Sequence, residues 1–179
     1  MKQKVLIHIC CAPCSTSAVE RILTLYQNPD LILFYYNPNI SPLLEEKKRY
    51  GELVGFLKTS YGDRVYLERG EYDHDYWYSL VEPLKFSGEG GLRCRMCYYI
   101  RLLKTFNTAQ KLNASSVTTT LATSPYKNFD WLSEIGILLS KRYGIEWFVE
   151  KWDYKRSIEL SKKHGLYRQN YCGCEFSAK

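Results

Sequence analysis

The amino-acid sequence contains no long hydrophobic run. None of its segments approaches the roughly 20 consecutive apolar residues that a membrane-spanning helix needs. Near the amino terminus, the apolar run Val5-Leu6-Ile7 is too short for the core of a signal peptide, and no cleavage site of small residues follows it. Repeats, low-complexity stretches and an interdomain linker are absent as well. We therefore expect one domain over residues 1–179, located in the cytoplasm and without a membrane partner.

Histidine is scarce, and cysteine takes its place as the candidate metal ligand. The three histidines have no mutual spacing that indicates a metal site, and His8 is more typical of a hydrogen-bonded residue in a buried strand. The seven cysteines fall into three tight groups, at positions 10, 11 and 14, at 94 and 97, and at 172 and 174. In a reducing compartment, clustered thiols indicate metal binding or redox chemistry more often than structural disulfides.

The hydrophobic pattern predicts an α/β fold. Apolar, strand-like runs alternate with segments whose apolar residues recur at helical spacing. Strands are predicted at residues 4–9, 31–36, 64–68, 115–120 and 146–149. Because successive strands are separated by helices, right-handed crossovers are expected, which give a Rossmann-like, mainly parallel sheet of about five strands.

Local signals also predict where helices begin and end. Ser15 or Ser17 is expected to cap the first helix, and Asn28 to help end it. The pair Ser41-Pro42 predicts the start of the second helix, with proline at its first position. Residues 45–49 of that helix are charged and are interpreted as mostly a solvated face.

The first two cysteine groups admit several metal sites. Cys10 and Cys11 are adjacent, and neighbouring side chains on an extended segment point in opposite directions. Such a pair fits a larger cluster, or two neighbouring metal centres, better than one tetrahedral ion. The spacing of Cys94 and Cys97 serves zinc, redox pairs and iron–sulfur clusters alike. Cys14 is open to three interpretations: a ligand of a second metal, a reserve ligand, or a small buried residue.

Cys172-Gly173-Cys174 forms a different kind of group. A disulfide between its two cysteines would close only a very small ring, which is strained and easily reduced. The pair is therefore interpreted as a redox-active dithiol or as two metal ligands. A structural role is the least favoured, because so short a loop constrains almost nothing.

Positive charge near the cysteine groups is compatible with an RNA partner. The chain has a formal net charge of +6, and basic residues stand near two cysteine groups: Arg93, Arg95, Arg101, Lys155, Arg156, Lys162, Lys163 and Arg168. Arginine and lysine neutralise phosphates, and exposed tyrosines stack on unpaired bases. A solvated surface with a routine positive excess explains the same pattern about equally well.

Four motifs together resemble the cobalamin-independent epoxyqueuosine reductases. They are His8-Ile-Cys-Cys-Ala-Pro-Cys14, Arg93-Cys-Arg-Met-Cys-Tyr98, Thr119-Thr-Leu-Ala-Thr-Ser-Pro-Tyr-Lys127 and Tyr167-Arg-Gln-Asn-Tyr-Cys-Gly-Cys174, within a resemblance from residue 5 to about residue 177. The resemblance implies a fold similar to the PP-loop (HUP-like) ATPases, a Rossmann-like α/β/α sandwich. It also implies reduction of the epoxide of epoxyqueuosine, at the wobble position of tRNA, to the alkene of queuosine.

The resemblance further implies roles for individual cysteines. Cys10, Cys11, Cys94 and Cys97 are expected to bind a [4Fe–4S] cluster, and Cys172 and Cys174 to form a redox-active pair. An additional iron beside the cluster is a further expectation, with one cysteine of the Cys172/Cys174 pair or Cys14 as its candidate ligand. The reaction requires an external electron donor, and the proton donors or orienting residues expected from loop position are Tyr126, Lys127, Asp130 and Tyr167.

The loop after the first strand lacks the glycine-rich pattern by which PP-loop relatives bind ATP. Cys11-Ala12-Pro13-Cys14 has no glycine for a close approach of backbone to phosphate, so we expect no use of ATP. Two other functions compete with the reductase: a zinc-stabilised tRNA-binding module without catalysis, and a thiol-dependent tRNA sulfur-transfer enzyme. The second of these should need ATP, and the missing phosphate loop counts against it.

Overall fold

A computed structural model describes residues 3–27 and 29–177, and a parallel sheet lies at its centre. Within these residues the sheet has five strands: β1 (Lys4–Ile9), β2 (Asp30–Tyr35), β3 (Val65–Arg69), β4 (Ser116–Thr119) and β5 (Glu146–Trp147). Their order across the sheet is β3-β2-β1-β4-β5, and every neighbouring pair is parallel. The predicted α/β class and the five-stranded parallel sheet are confirmed.

The central strand is apolar along its length because both of its faces are covered. Val5, Leu6 and Ile7 of β1 are fully buried, and Leu6 lies in register with Ile32 of β2 and Val117 of β4. A strand in the middle of a parallel sheet has helices above and below it, so it has no solvent-facing side to make polar. The continuous apolar run in the sequence therefore predicted this strand correctly.

Two groups of helices cover the sheet. The helices of the described residues are α1 (Ala12–Leu25), α2 (Leu43–Ser60), α3 (His74–Val81), α4 (Leu92–Lys111), α5 (Phe129–Tyr143) and α6 (Tyr154–Lys163). Helix α1 contacts α2 and α6, whereas α4 contacts α3 and α5. Right-handed crossovers on either side of β1 place these two groups on opposite faces, as the predicted sandwich requires. No helix in the described ranges combines the length and hydropathy needed to cross a membrane.

The direction of the strand order reverses at β1, which creates a crevice at the carboxyl edge of the sheet. The chain moves from β1 outward to β2 and β3, then returns to β4 on the other side of β1. In open α/β sheets, ligands bind where such a reversal separates two adjacent loops. Here the loop after β1 meets the loop after β4, and the Thr120 hydroxyl accepts a hydrogen bond from the Cys10 backbone N–H at 3.0 Å.

Two predicted helix starts are wrong by a few residues. Helix α1 begins at Ala12, with Cys11 at the N-cap, and Ser15 instead donates to the Ala12 carbonyl from inside the first turn. Helix α2 begins at Leu43, so Pro42 occupies the N-cap position rather than the first helical one. Asn28, which we predicted to help end α1, lies outside the described residues.

Two substitutions of glycine by alanine should have opposite effects on stability. A Cβ at Gly136 in α5 would overlap the indole ring of Trp147 in β5, so Gly136→Ala should lower the free energy of unfolding by about 1–3 kcal/mol. Gly51 in α2 has open space around it, so Gly51→Ala should raise that free energy by about 0.5–1 kcal/mol. Urea unfolding followed by circular dichroism measures both, and equal effects of the two changes would contradict the described packing of α5 against β5.

Candidate metal centre

Three thiols meet in the loop that follows β1. The sulfur atoms of Cys10, Cys11 and Cys14 all lie within 4.8 Å of one another. Cys10 occupies a bend, Cys11 is the extended N-cap of α1, and Cys14 lies in the first helical turn. The helix therefore turns the chain back on itself and returns Cys14 to the two preceding thiols.

Adjacent Cys10 and Cys11 do not point in opposite directions, contrary to the expectation for an extended segment. Their sulfur atoms are 3.9 Å apart. The alternation of side chains applies to a continuous strand, but β1 ends at Ile9 and the backbone changes from strand to helix between these two residues. The loop can thus present both thiols to one site.

The three thiols share negative charge unequally. Hydrogen bonds from Cys11 and then from Cys14 hold the pKa of the Cys10 thiol well below its ordinary value, with further help from the charge of Arg101. Donating to Cys10 raises the pKa of Cys11 to about 12, and it also raises the pKa of Cys14. Because a cysteine binds a metal as its thiolate, binding of a metal here would release protons from Cys11 and Cys14.

The other four cysteines form a second region at the same end of the sheet. Cys94 and Cys97 lie in the first turns of α4, and neither belongs to the close group of Cys10, Cys11 and Cys14. Burial raises the pKa of the Cys97 thiol to about 11, and the charges of Cys172 and Cys174 contribute to the increase. The structure therefore places Cys94 and Cys97 beside the carboxy-terminal pair, and all seven cysteines are free thiols.

A cavity of about 780 Å³ lies beside the loop after β1, and Cys94, Cys97 and Cys174 are not among the residues that line it. Cys10, Cys11, Cys14 and Cys172 line it together with four basic residues: Arg49, Arg101, Lys127 and Arg168. The volume lies within the range of roughly 300–1,000 Å³ that is typical of small-molecule sites. The crevice predicted from the strand order is thus a thiol-lined, positively charged pocket.

Comparison with known proteins identifies the family of the chain. The family model described as epoxyqueuosine reductase QueH matches residues 5–179. Epoxyqueuosine reductase QueH of Thermotoga maritima is 38% identical to this chain over 97% of it and 89% of the relative. The enzyme of the same name from Streptococcus pyogenes is 33% identical over 100% of this chain and 72% of the relative. The chain belongs to the QueH family.

A solved structure also resembles the chain. It is described as a predicted subunit of a tRNA methyltransferase from Methanocaldococcus jannaschii, and it matches 88% of this chain and 74% of its own chain. The TM-score is 0.48 and the sequence identity is 13%. The family resemblance inferred from the four motifs is confirmed by the QueH model and its relatives.

Two of the four residues expected as proton donors or orienting groups line the cavity. Tyr126 is 75% exposed at its wall, and the Lys127 Nζ lies 2.9 Å from the Cys172 sulfur. Burial opposes the charge of Lys127, but interaction with Cys172 outweighs it and leaves the pKa of Lys127 above its ordinary value. Asp130 is exposed and Tyr167 donates to Glu45, and neither residue is among those that line the cavity.

Arg49 lines the cavity, although the sequence interpretation placed it in solvent. The sequence pattern assigned Arg49 to a solvated face, but the residue is only 3% exposed. Its Nη1 donates a hydrogen bond to the Cys172 carbonyl at 3.1 Å. A Cβ at Gly173 would come within 3.0 Å of Arg49 Nη1 and of Ile40, and the φ of Gly173 is +116°. Arg49 precedes Leu53 by four residues, so its helical spacing contained the signal that it faces inward.

The basic residues proposed to contact RNA divide into two kinds. Arg93 is buried and donates to the Lys85 and Ser87 carbonyls. Arg101 is buried as well, although it contributes to the wall of the cavity. The exposed basic residues are Arg95, Lys155, Arg156, Lys162, Lys163 and Arg168.

The unequal thiols predict a pH-dependent reactivity in the metal-free protein. Because the folded-state pKa of Cys10 is depressed, Cys10 should react with iodoacetamide at a lower pH than Cys11, whose pKa is raised to about 12. Cys11→Ala removes a donor to Cys10 and should move the Cys10 reactivity profile to higher pH. Peptide mass spectrometry after brief alkylation measures the profile at each pH.

Cys174→Ala provides the control for this experiment, because Cys174 is not in the group around Cys10. It should leave the pH profile of Cys10 unchanged. A Cys11→Ala variant whose Cys10 profile coincides with that of the unmodified protein would show that the hydrogen bond between these thiols is unimportant.

Proposed function

We propose that this protein reduces the epoxide of epoxyqueuosine, at the wobble position of tRNA, to the alkene of queuosine. The observation that carries the proposal is the QueH family match over residues 5–179, which includes all seven cysteines. The thiol-lined pocket at the carboxyl edge of the sheet supports it. Family membership favours this activity over a zinc-stabilised tRNA-binding module or a sulfur-transfer enzyme.

The donor set fits an iron–sulfur centre. Thiolates are soft ligands that select zinc, copper(I) and iron–sulfur clusters, and three of them already lie within 4.8 Å of one another. We propose that Cys10, Cys11, Cys94 and Cys97 bind a [4Fe–4S] cluster, and that Cys14 binds an additional iron beside it. Support comes from the contact between Cys10 and Cys11 and from the i, i+3 spacing of Cys94 and Cys97 at the start of α4.

The conversion of an epoxide to an alkene and water consumes two electrons and two protons. When bound, a cluster with an adjacent iron would supply single electrons and a Lewis acid for the epoxide oxygen. Cys172 and Cys174 together hold two electrons and two protons, which they release on forming a disulfide. Their oxidation therefore balances the reduction of one epoxide, and an external electron donor restores the dithiol.

Lys127 is the proposed proton donor to the epoxide oxygen. Its ammonium group lines the pocket beside Cys172 and remains protonated at neutral pH, because its pKa is raised. A charged donor held at the wall of a half-buried pocket stabilises the negative charge that develops as the C–O bond breaks. Tyr126, exposed at the same wall, is placed to contact the modified base.

The proposed substrate explains the charge of the protein. A net charge of +6 favours a polyanion, and Arg168 lies in the pocket wall where a nucleotide phosphate would pass. Because tRNA modification takes place in the cytoplasm, we place the protein there. The proposal includes no step that consumes ATP.

Replacing Cys94 tests the cluster assignment. Cys94→Ala should lose most of the iron and inorganic sulfide of anaerobically purified protein, together with the brown absorbance and the reductase activity, because a cluster ligand is missing. Cys14→Ala is the matched variant from the other group and should lose about one iron while sulfide stays unchanged. A Cys94→Ala protein with full iron, sulfide and turnover would refute the assignment, and zinc without iron in the unmodified protein would favour the binding module.

Replacing Cys174 tests the dithiol. Cys174→Ser should keep iron and sulfide at normal levels but fall to at most a single turnover, since no second thiol remains to form the disulfide. The measurement is product per enzyme in an anaerobic assay with excess tRNA and reductant. Ser177→Ala, which removes only the hydroxyl that contacts the Cys174 sulfur at 3.3 Å, should retain multiple turnover. Undiminished turnover by Cys174→Ser would exclude the redox role.

A further inference from the structure

Arg101 is a buried cation without a carboxylate partner. The residue lies in α4, is 2% exposed, and forms no ion pair with any carboxylate in the described ranges. Its Nη2 donates to Asn37 Oδ1 at 2.5 Å. Removing a guanidinium group from water is costly unless a negative charge compensates for it, so the position of Arg101 requires an anion that the carboxylates do not provide.

His8 does not supply that compensation. An imidazole ring is either neutral or positive near neutral pH, so His8 has no negative charge to offer. Its Nε2 lies 3.0 Å from the Tyr36 carbonyl, which can only accept, so Nε2 bears the proton and donates to that oxygen. The approach of Arg101 Nε to the same nitrogen at 3.4 Å is therefore a contact between two donors.

The groups that can become negative beside Arg101 are thiols from all three cysteine groups. Cys97 lies four residues before Arg101 on the same face of α4, and the charges of Cys97, Cys10 and Cys172 act on the guanidinium. Cys10, Cys172 and Arg101 also line the same cavity. The loop after β1, the start of α4 and the carboxy-terminal segment thus converge on one positive charge.

The surrounding framework holds this charge in place. The Asn37 amide nitrogen donates to the Ile9 carbonyl at 2.9 Å, which directs its oxygen toward Arg101. The His8 ring is fixed at its other nitrogen by the Thr119 hydroxyl at 3.0 Å. The guanidinium is therefore held by Asn37 of the segment after β2, beside the fixed His8 ring of β1.

We infer that Arg101 is a positioning residue whose buried charge compensates the thiolates of the metal centre and raises the reduction potential of the bound group. The inference rests on the proposed function, since it requires a metal at the thiols. A positive charge stabilises a centre that gains an electron, and burial away from water strengthens the effect.

The test compares Arg101→Gln with Arg101→Lys and with Arg95→Gln. Glutamine keeps a planar hydrogen-bonding group but removes the charge, lysine keeps the charge, and Arg95 is an exposed residue of the same helix that pairs with Glu134. Reduction potentials are measured by an electron paramagnetic resonance titration of the anaerobically reconstituted protein. Arg101→Gln should shift the potential to more negative values, Arg101→Lys should restore most of it, and Arg95→Gln should leave it unchanged.

A second measurement separates charge compensation from a structural role. The melting temperatures of metal-loaded and metal-stripped protein are compared, and Arg101→Gln should lower that of the loaded form more than that of the stripped form. Equal losses in both forms, with an unchanged potential, would overturn the inference. Asn37→Asp is a further variant, in which Arg101 itself is retained. A carboxylate beside the guanidinium neutralises its charge, so Asn37→Asp should also shift the reduction potential to more negative values.

Failure of the proposed function has a different signature. If the unmodified protein bound zinc and no iron, the iron–sulfur assignment would be wrong. The comparison of zinc-loaded and stripped protein would still decide whether Arg101 compensates metal-bound thiolates.

Discussion

The pairing of β1 with both β2 and β4 determines which loops meet at the carboxyl edge of the sheet. It places the loop after β1 beside the loop after β4, where the Thr120 hydroxyl contacts both the Cys10 backbone and its sulfur. Parallel strands all end at one edge of the sheet, so cysteines that are more than eighty residues apart in sequence reach the same crevice. Helix α4 and the carboxy-terminal segment complete the pocket from the outside.

Much of the fold follows from the sequence because the responsible forces are local. The continuous apolar run of β1 reflects a strand covered on both faces, and Gly144 takes the left-handed conformation that its place at the end of α5 requires. Asp153 caps α6 by accepting a hydrogen bond from the Arg156 backbone N–H, and aspartate is a residue type that favours this position. The start of α1 was not predictable in this way, since Cys11 occupies the N-cap without the side-chain hydrogen bond by which capping residues are recognised.

The sequence predicted which cysteines belong to the candidate site but not how their side chains are arranged. Sequence spacing identified the three cysteine groups, yet the close contact of Cys14 with Cys10 and Cys11 depends on where β1 stops and α1 starts. Charges were predicted least well. Arg49 and Arg101 belong to hydrophilic patterns that normally lie in water, and only the packing of distant segments shows that both are buried. Interactions between charged residues that are far apart in sequence produce no periodic pattern of residue types, so the sequence does not show which charges become buried.

The glycine between the two carboxy-terminal cysteines occupies a position that has no room for a side chain. With a φ of +116° and with Arg49 and Ile40 directly above its missing side chain, position 173 accepts backbone alone. A larger residue would displace the arginine from the Cys172 carbonyl and also disturb the bond from the Ser41 backbone N–H to Gly173. The conformation of the two carboxy-terminal cysteines and the position of Arg49 in the second helix are therefore coupled, although more than one hundred residues separate them in the sequence.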